Sequence, residues 1–187
     1  MNVLFVCTGN ICRSPMGELM FPLFFHDDSI TTDSAGVQGL INNPIDPSSA
    51  RLMQMDGIDA SLFRSKRLTP QLAMGSDLIL CFTEHQRKKI VELAPRSRSR
   101  TFLLTDFADL CTYCHNNNLI QGGTLKNRLD SVLANASLAR PMLPKAHEID
   151  DPYQHDFPAF KTAHTQIGKA FANIAAALEP ARGAHAH

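Results

Sequence analysis

Short apolar runs recur along the chain and predict buried strands. The runs at 3–6 and 78–82, the second within a strand predicted at 77–82, are continuous rather than alternating in polarity, which is typical of strands covered on both faces. Two further strands are predicted near 30–34 and 101–104. The stretches between these runs have mixed polarity and are long enough for helices, so strands and helices are expected to alternate.

Signals for helix starts follow the predicted strands. Ser14-Pro15 predicts a helix whose first turn is capped by the Ser14 hydroxyl. A second helix is predicted to begin near Asp46-Pro47, and a third to occupy 84–93. A C-terminal amphipathic helix is predicted from apolar residues that recur every three or four positions, namely Phe160, Ala163, Ile167, Phe171, Ile174 and Leu178. The last residues, 182–187, are expected to be frayed.

The alternation of strands and helices indicates an α/β fold. Right-handed βαβ units would build a four-stranded parallel sheet with helices on both faces, and ligands would bind at the carboxyl ends of its strands. No linker-like stretch divides the 187 residues, so residues 1–187 are predicted to form a single domain. The pattern is weakest in an enlarged segment at 107–147, which is broken at 116–118 and 122–123. We expect an irregular helical segment there, with one helix near 125–133.

Neither the net charge nor the composition indicates a particular binding partner. Lys plus Arg (18) balance Asp plus Glu (18). The basic residues between 87 and 100 lack interleaved aromatic residues, so a solvated surface is favoured over a nucleic-acid interface. The N-terminus has neither the basic start of a secretory signal nor a run long enough for a membrane span. We therefore expect a cytoplasmic protein, and the oligomeric state stays open.

The loop between the first strand and the first helix carries the clearest chemical signal. It reads Cys7, Thr8, Gly9, Asn10, Ile11, Cys12, Arg13 and Ser14. Unpaired backbone N–H groups and the positive end of a helix meet at such a loop, so it is expected to bind phosphate. Gly9 and Asn10 would supply unusual backbone angles, and Arg13 would hold two phosphate oxygens. These donors favour the thiolate of Cys7, which is the predicted nucleophile. In the alternative reading, Cys7 merely ends a strand and Arg13 makes a surface pair.

The string VLFVCTGNICRSPMGE at 3–18 resembles the signature of the low-molecular-weight protein tyrosine phosphatases. The resemblance continues through 32–37, 43–47 and 77–83, so it covers most of the chain outside the enlarged segment.

The resemblance implies a role for each polar residue of the loop. Cys7 would form a phosphocysteine intermediate and Arg13 would stabilise the transferring phosphoryl group. Ser14 and Asn10 would support the nucleophile and the shape of the loop. The implied activity is the hydrolysis of phosphotyrosine in proteins.

Phosphoryl transfer to a thiolate leaves a group that needs a proton, so a carboxylic acid is expected opposite the nucleophile. The resemblance assigns this role of general acid and base to Asp151, in an Asp-Pro-Tyr sequence, with Asp150 and then Asp156 as alternatives. Leu40 and Tyr153 are predicted to form the walls of the pocket, although ordinary packing is an equal alternative. The leucine at position 40, where animal members commonly carry an aromatic residue, makes the chain more similar to bacterial members.

The remaining cysteines suggest other chemistry less strongly. Cys12 lies five residues after Cys7 and is either a reversible disulfide partner or silent. Cys111, Cys114 and His115 match the spacing of covalent haem attachment. Covalent haem attachment is disfavoured because the sequence shows no export signal, and a zinc site is disfavoured because it would need two further ligands. We therefore expect buried thiols, with no metal and no cofactor.

Two other functions remain open at this point. An arsenate reductase would share the fold and the first loop. Such enzymes resemble a cysteine relay, which needs two more thiols, one near Cys81 and one several residues later. A phosphotyrosine-binding module without turnover would need neither Cys7 nor Asp151. The implied partner is a phosphotyrosine protein, with a bacterial tyrosine kinase as one candidate.

Overall fold

The computed structural model describes residues 1–145 and 147–179. Its centre is a sheet of four parallel strands in the order β2-β1-β3-β4. The strands are β1 (Asn2–Cys7), β2 (Thr31–Gly36), β3 (Leu78–Cys81) and β4 (Thr101–Leu103). All four predicted strands are confirmed, and so is the predicted α/β fold class.

Seven α-helices accompany the sheet in the described residues. They are α1 (Arg13–Phe24), α2 (Pro47–Met55), α3 (Pro70–Met74), α4 (Glu84–Leu93), α5 (Leu104–Asn116), α6 (Leu125–Ala139) and α7 (Phe157–Leu178). Asp46 caps α2 by accepting from the backbone N–H of Ser48 at 2.8 Å. The predicted C-terminal helix is confirmed in α7, whereas the expected fraying of 182–187 lies outside the described residues.

Apolar side chains leave β1 alternately toward two cores. Phe5 faces the core formed with α1, α5 and α7, where its ring lies 5.7 Å from that of Phe171. Leu4 and Val6 face the second core, which Ile90 of α4 helps to form. Helices therefore cover both faces of the sheet, which explains why the strand sequences are apolar without alternation.

In the predicted irregular helical segment at 107–147, the helix expected near 125–133 is present as α6, and the helical content is greater than expected. The structure has two regular helices there, α5 and α6. The polar and glycine residues that suggested irregularity belong to the connection between them, where Asn118 and Gly122 have φ values of 56° and 105°. These conformations end one helix and precede the next without disturbing either. Among the described residues, no helix is both long enough and apolar enough to span a membrane.

Candidate functional site

The loop after β1 encloses the sulfur of Cys7. The side chain is 2% exposed. Its Sγ lies 2.9 Å from Ser14 Oγ and accepts from the backbone N–H of Asn10 at 3.2 Å. Two polar groups of the loop therefore converge on this buried sulfur.

Asn10 organises the loop from inside the protein. Its side-chain amide donates to Ser14 Oγ at 3.0 Å and to Ser34 Oγ at 2.8 Å. Its side-chain oxygen accepts from the backbone N–H of Lys66 at 2.7 Å. Ser14 Oγ thus accepts from Asn10, and it lies within hydrogen-bonding distance of both Cys7 Sγ and the carbonyl of Ala35.

Two details of the loop differ from the sequence predictions. Ser14 lies inside α1 and makes no cap, since the helix begins at Arg13 without a side-chain capping bond. The left-handed residue of the loop is Asn10, with φ of 59°, and Gly9 does not adopt that conformation. The polar side chain of Asn10 tolerates a positive φ, so the loop obtains its turn and its internal hydrogen bonds from one residue.

Arg13 connects the loop to the segment before α7. Although it is only 2% exposed, it donates from Nη1 to the carbonyl of Ile149 at 2.8 Å. Its Nη2 forms an ion pair with Asp151 Oδ2 at 2.7 Å. Its Nε has no partner within the described part of the chain. A buried donor without a partner is costly, and here it remains available to an incoming oxyanion.

Of the three candidate acids, Asp151 is the one that reaches the site. Its side chain is 45% exposed, and its carboxylate lines the same cavity as Cys7. Asp156 lies at the start of α7, and neither it nor Asp150 lines that cavity. The pairing of Asp151 with Arg13 therefore distinguishes it from its neighbours.

The cavity above Cys7 has a volume of about 190 Å³. Both predicted wall residues line it, as do most residues of the first loop. The full lining is Cys7, Thr8, Gly9, Ile11, Cys12, Gln38, Leu40, Asp151 and Tyr153. Leu40 and Tyr153 are 45% and 46% exposed, so each offers an apolar surface to a ligand at the mouth.

Comparison with known proteins agrees with this geometry. The family model described as "Low molecular weight phosphotyrosine protein phosphatase" matches residues 2–117. The chain belongs to this family. The family acts through a cysteine, and the chain is accordingly a cysteine-dependent protein-tyrosine phosphatase.

Two bacterial relatives share more than a third of the aligned residues. The low molecular weight protein-tyrosine-phosphatase Ptp of Acinetobacter johnsonii is 38% identical over 103 residues, which are 55% of this chain and 71% of Ptp. Etp of Escherichia coli K12 is 35% identical over 102 residues, which are 54% of this chain and 68% of Etp. The tyrosine phosphatase Wzb of Escherichia coli K30, solved with sulphate, superposes with a TM-score of 0.69 at 25% identity. That superposition covers 95% of this chain and 98% of Wzb.

The comparisons do not favour the arsenate reductase alternative, and the surroundings of the phosphatase's other thiols agree. Cys81 is buried in the sheet, where its thiol donates to the carbonyl of Phe102 at 3.4 Å. Burial raises the pKa of the Cys12 thiol and those of Cys111 and Cys114. These thiols are therefore held in the neutral form. In the described residues, no three or more metal-binding side chains converge.

Sequence reasoning missed several residues that shape the site. Gln86 is buried beneath the loop, where its Oε1 accepts from the backbone N–H of Phe82 at 2.9 Å. Its Nε2 donates to Thr8 Oγ1 at 3.2 Å. Ser34 receives the hydrogen bond from Asn10 already described, and Gln38 lines the cavity. The contacts of Gln86 with Thr8 and of Ser34 with Asn10 are not visible in local spacing, because they join residues 78 and 24 positions apart.

Proposed function

We propose that this phosphatase hydrolyses phosphotyrosine in two steps, with Cys7 as nucleophile, Arg13 as phosphate ligand and Asp151 as general acid and base. The observation that carries the proposal is that Cys7 and Asp151 line one cavity, and that Arg13, at the end of the loop, forms an ion pair with Asp151. A nucleophile, an anion ligand and a proton donor are the groups that transfer of a phosphoryl group requires.

In the first step, the phosphate of the substrate enters the loop and competes with Asp151 for Arg13. Both are anions that fit the guanidinium fork, so binding releases the carboxyl group from its ion pair. The Cys7 thiolate then forms a bond to phosphorus as the bond to the tyrosine oxygen breaks. Once released from Arg13, Asp151 takes up a proton from solvent and gives it to that oxygen, and neutral tyrosine leaves.

In the second step, Asp151 takes a proton from water as the water oxygen attacks the phosphocysteine. The bond between sulfur and phosphorus breaks, which releases inorganic phosphate and restores the thiolate. The Ser14 hydroxyl, 2.9 Å from the sulfur, stabilises the negative charge that returns to Cys7. The cycle consumes one water and needs no metal.

The walls of the cavity support an aromatic substrate. Leu40 and Tyr153 would contact the two faces of a phosphotyrosine ring, which gains from apolar and aromatic contact. The partner is accordingly a phosphotyrosine protein, and a bacterial tyrosine kinase is the candidate that the resemblance to bacterial members supports. The five free cysteines support action in a reducing compartment such as the cytoplasm.

The test compares variants of the nucleophile and of the three candidate acids on an aryl phosphate and a phosphotyrosine peptide, without added metal. Cys7→Ser should lose turnover but still bind vanadate, because the anion-binding groups remain. Asp151→Asn should lower kcat/KM by about 10²–10⁴-fold, the usual contribution of a general acid.

Asp150→Asn and Asp156→Asn serve as controls and should stay close to the wild type. Full activity in Cys7→Ser would overturn the mechanism. A large loss in Asp150→Asn with none in Asp151→Asn would move the acid to the neighbouring residue.

A further inference from the structure

The position of Asp151 depends on a non-helical segment, residues 147–151, which we call the acid strap. The strap precedes α7 and carries an acid that is about half exposed. An acid on a loop transfers its proton well only if its distance from the reacting oxygen is controlled. The contacts that hold the strap therefore bear on the rate of the first step.

Main-chain contacts tie the strap to the carboxyl ends of β3 and β4. The N–H of Ile149 donates to the carbonyl of Phe82 at 3.0 Å, and the carbonyl of Ile149 accepts from Arg13 at 2.8 Å. The carbonyl of His147 accepts from the Thr105 hydroxyl. These bonds hold the strap at His147 and Ile149, and none of them involves a residue of α4.

Glu148 supplies a contact to α4. Its Oε1 accepts from the backbone N–H of Glu84 at 2.7 Å, across 64 residues of sequence. Thr83, the N-cap of α4, already accepts from the N–H of Gln86, so Glu148 satisfies a different unpaired donor of the first turn. A carboxylate is also favoured there by the positive end of the helix.

The same first turn of α4 supports the nucleophile loop. Gln86 accepts from the N–H of Phe82 and donates to Thr8. The strap and the loop are thus both fastened to one turn of one helix, the strap through Glu148 and the loop through Gln86. This common support relates the acid to the nucleophile.

We propose that Glu148 is a positioning residue that aligns the Asp151 carboxyl with the leaving oxygen by anchoring the acid strap to α4. The inference rests on the proposed role of Asp151 as general acid. Glu148 contacts neither substrate nor sulfur, so it acts through the geometry of proton transfer and leaves the binding of phosphate to the loop unchanged.

The effect of a displaced acid depends on the leaving group. The phenolate that leaves phenyl phosphate is a strong base and needs a proton during the reaction. The nitrophenolate that leaves 4-nitrophenyl phosphate is a weak base and leaves readily without one. In Glu148→Ala we expect kcat/KM for phenyl phosphate to fall about tenfold, a part of the about 10²–10⁴-fold that a general acid contributes. For 4-nitrophenyl phosphate the expected change is less than about twofold.

Two further variants distinguish a positioning role of Glu148 from a general loss of activity. Glu148→Gln keeps an oxygen that can accept from Glu84 and should restore most of the activity on phenyl phosphate. Glu92→Ala, which removes an exposed ion pair with Lys89 in the last turn of the same helix, should leave the ratio between the two substrates unchanged.

The proposal is overturned if Glu148→Ala lowers both substrates equally, or if it lowers neither. Asp151→Asn, measured on the same two substrates, should show the same selectivity to a greater degree. If Asp151→Asn shows no selectivity, the assignment of the acid fails and Glu148 loses its role with it. If Asp151→Asn is selective and Glu148→Ala is not, only the positioning role is wrong.

Discussion

At the scale of single residues, a chain of hydrogen bonds leads from Cys7 to a half-buried carboxylate. Ser14 lies next to the sulfur, Asn10 donates to both Ser14 and Ser34, and Ser34 donates to Glu18 Oε2 at 2.5 Å. Because the carboxylate can only accept, it determines which way the Ser34 hydroxyl points. The chain thus connects the Glu18 carboxylate, through Ser34, Asn10 and Ser14, to the sulfur of Cys7.

Glu18 should make the stability of the protein depend on pH. Burial, opposed by the hydrogen bond from Ser34, raises the pKa of Glu18 above its ordinary value of 4.5. A carboxyl whose pKa is higher when folded stabilises the fold below its unfolded pKa, and this stabilisation is lost as pH rises through the folded pKa.

The measurement is the free energy of unfolding of the wild type and of Glu18→Gln in urea, in a series of buffers from pH 4 upward. As pH rises, the difference between the two proteins should shift in favour of Glu18→Gln. A difference that stays constant with pH would contradict the raised pKa. A shift in the opposite direction would show that the Ser34 hydrogen bond outweighs the cost of burial.

At the scale of elements, the end of β2 and the residues after it form one wall of the phosphate loop. The N–H of Val37 donates to the carbonyl of Cys7 and that of Gln38 to the carbonyl of Thr8, each at 2.9 Å. The N–H of Leu40 donates to the carbonyl of Gly9 at 3.2 Å. The pairing of β1 with β2 thus continues past the strands, and it brings Leu40 to the cavity.

Gly36 permits this close approach. A Cβ at this position would lie 2.6 Å from the carbonyl oxygen of Thr8 and 2.9 Å from the backbone nitrogen of Asn10. Both are main-chain atoms of the phosphate loop, which cannot move without disturbing the site. We expect Gly36→Ala to destabilise the protein by about 1–3 kcal/mol, as overpacking does, and to lower kcat.

Gly123→Ala is the matched control, because a Cβ there would have no atom within 4 Å. It should change the free energy of unfolding by less than about 0.5 kcal/mol. Urea unfolding and an aryl phosphate assay measure both effects. Wild-type stability and activity in Gly36→Ala would show that the loop can retreat from β2 without cost.

At the scale of the whole molecule, the enlarged segment belongs to the main core. Phe107, Leu110 and Cys111 of α5 are buried in the same cluster as Phe171 of α7 and Phe5 of β1. A segment that shares its core with the central strand cannot unfold by itself without exposing that strand. A removable partner-binding insertion would not have this arrangement.

Because α5 shares its core with β1 and α7, we expect the chain to unfold in one cooperative transition. The chain has two tyrosines and no tryptophan, and in Tyr153→Phe the remaining one, Tyr113, reports on α5. The urea transitions followed by Tyr113 fluorescence and by far-UV circular dichroism should coincide. An earlier transition at Tyr113 would contradict the prediction and would make the segment a separate unit.

Short local stretches of sequence determine much of the fold and of the candidate site. The continuous apolar runs predict the strands, and the loop from Cys7 to Ser14 predicts a phosphate site with Arg13 as its ligand. These features are local, because the strand, the loop and the helix start are adjacent in sequence. The assignment of Asp151 needed the family resemblance, since an Asp-Pro pair alone is an ordinary turn.

The tertiary structure decided which polar groups meet. Ser14 contacts the sulfur of Cys7 and does not cap α1, because the loop brings these two side chains together. Glu18, Gln86 and Glu148 act through partners 16, 78 and 64 residues away, and no local pattern encodes such pairs. The regularity of α5 also depends on burial against α7, because tertiary contacts contribute most of a helix's stability. The loop around Cys7, the proposed nucleophile, can thus be predicted from local sequence, whereas its alignment with Asp151, the proposed acid, depends on tertiary packing.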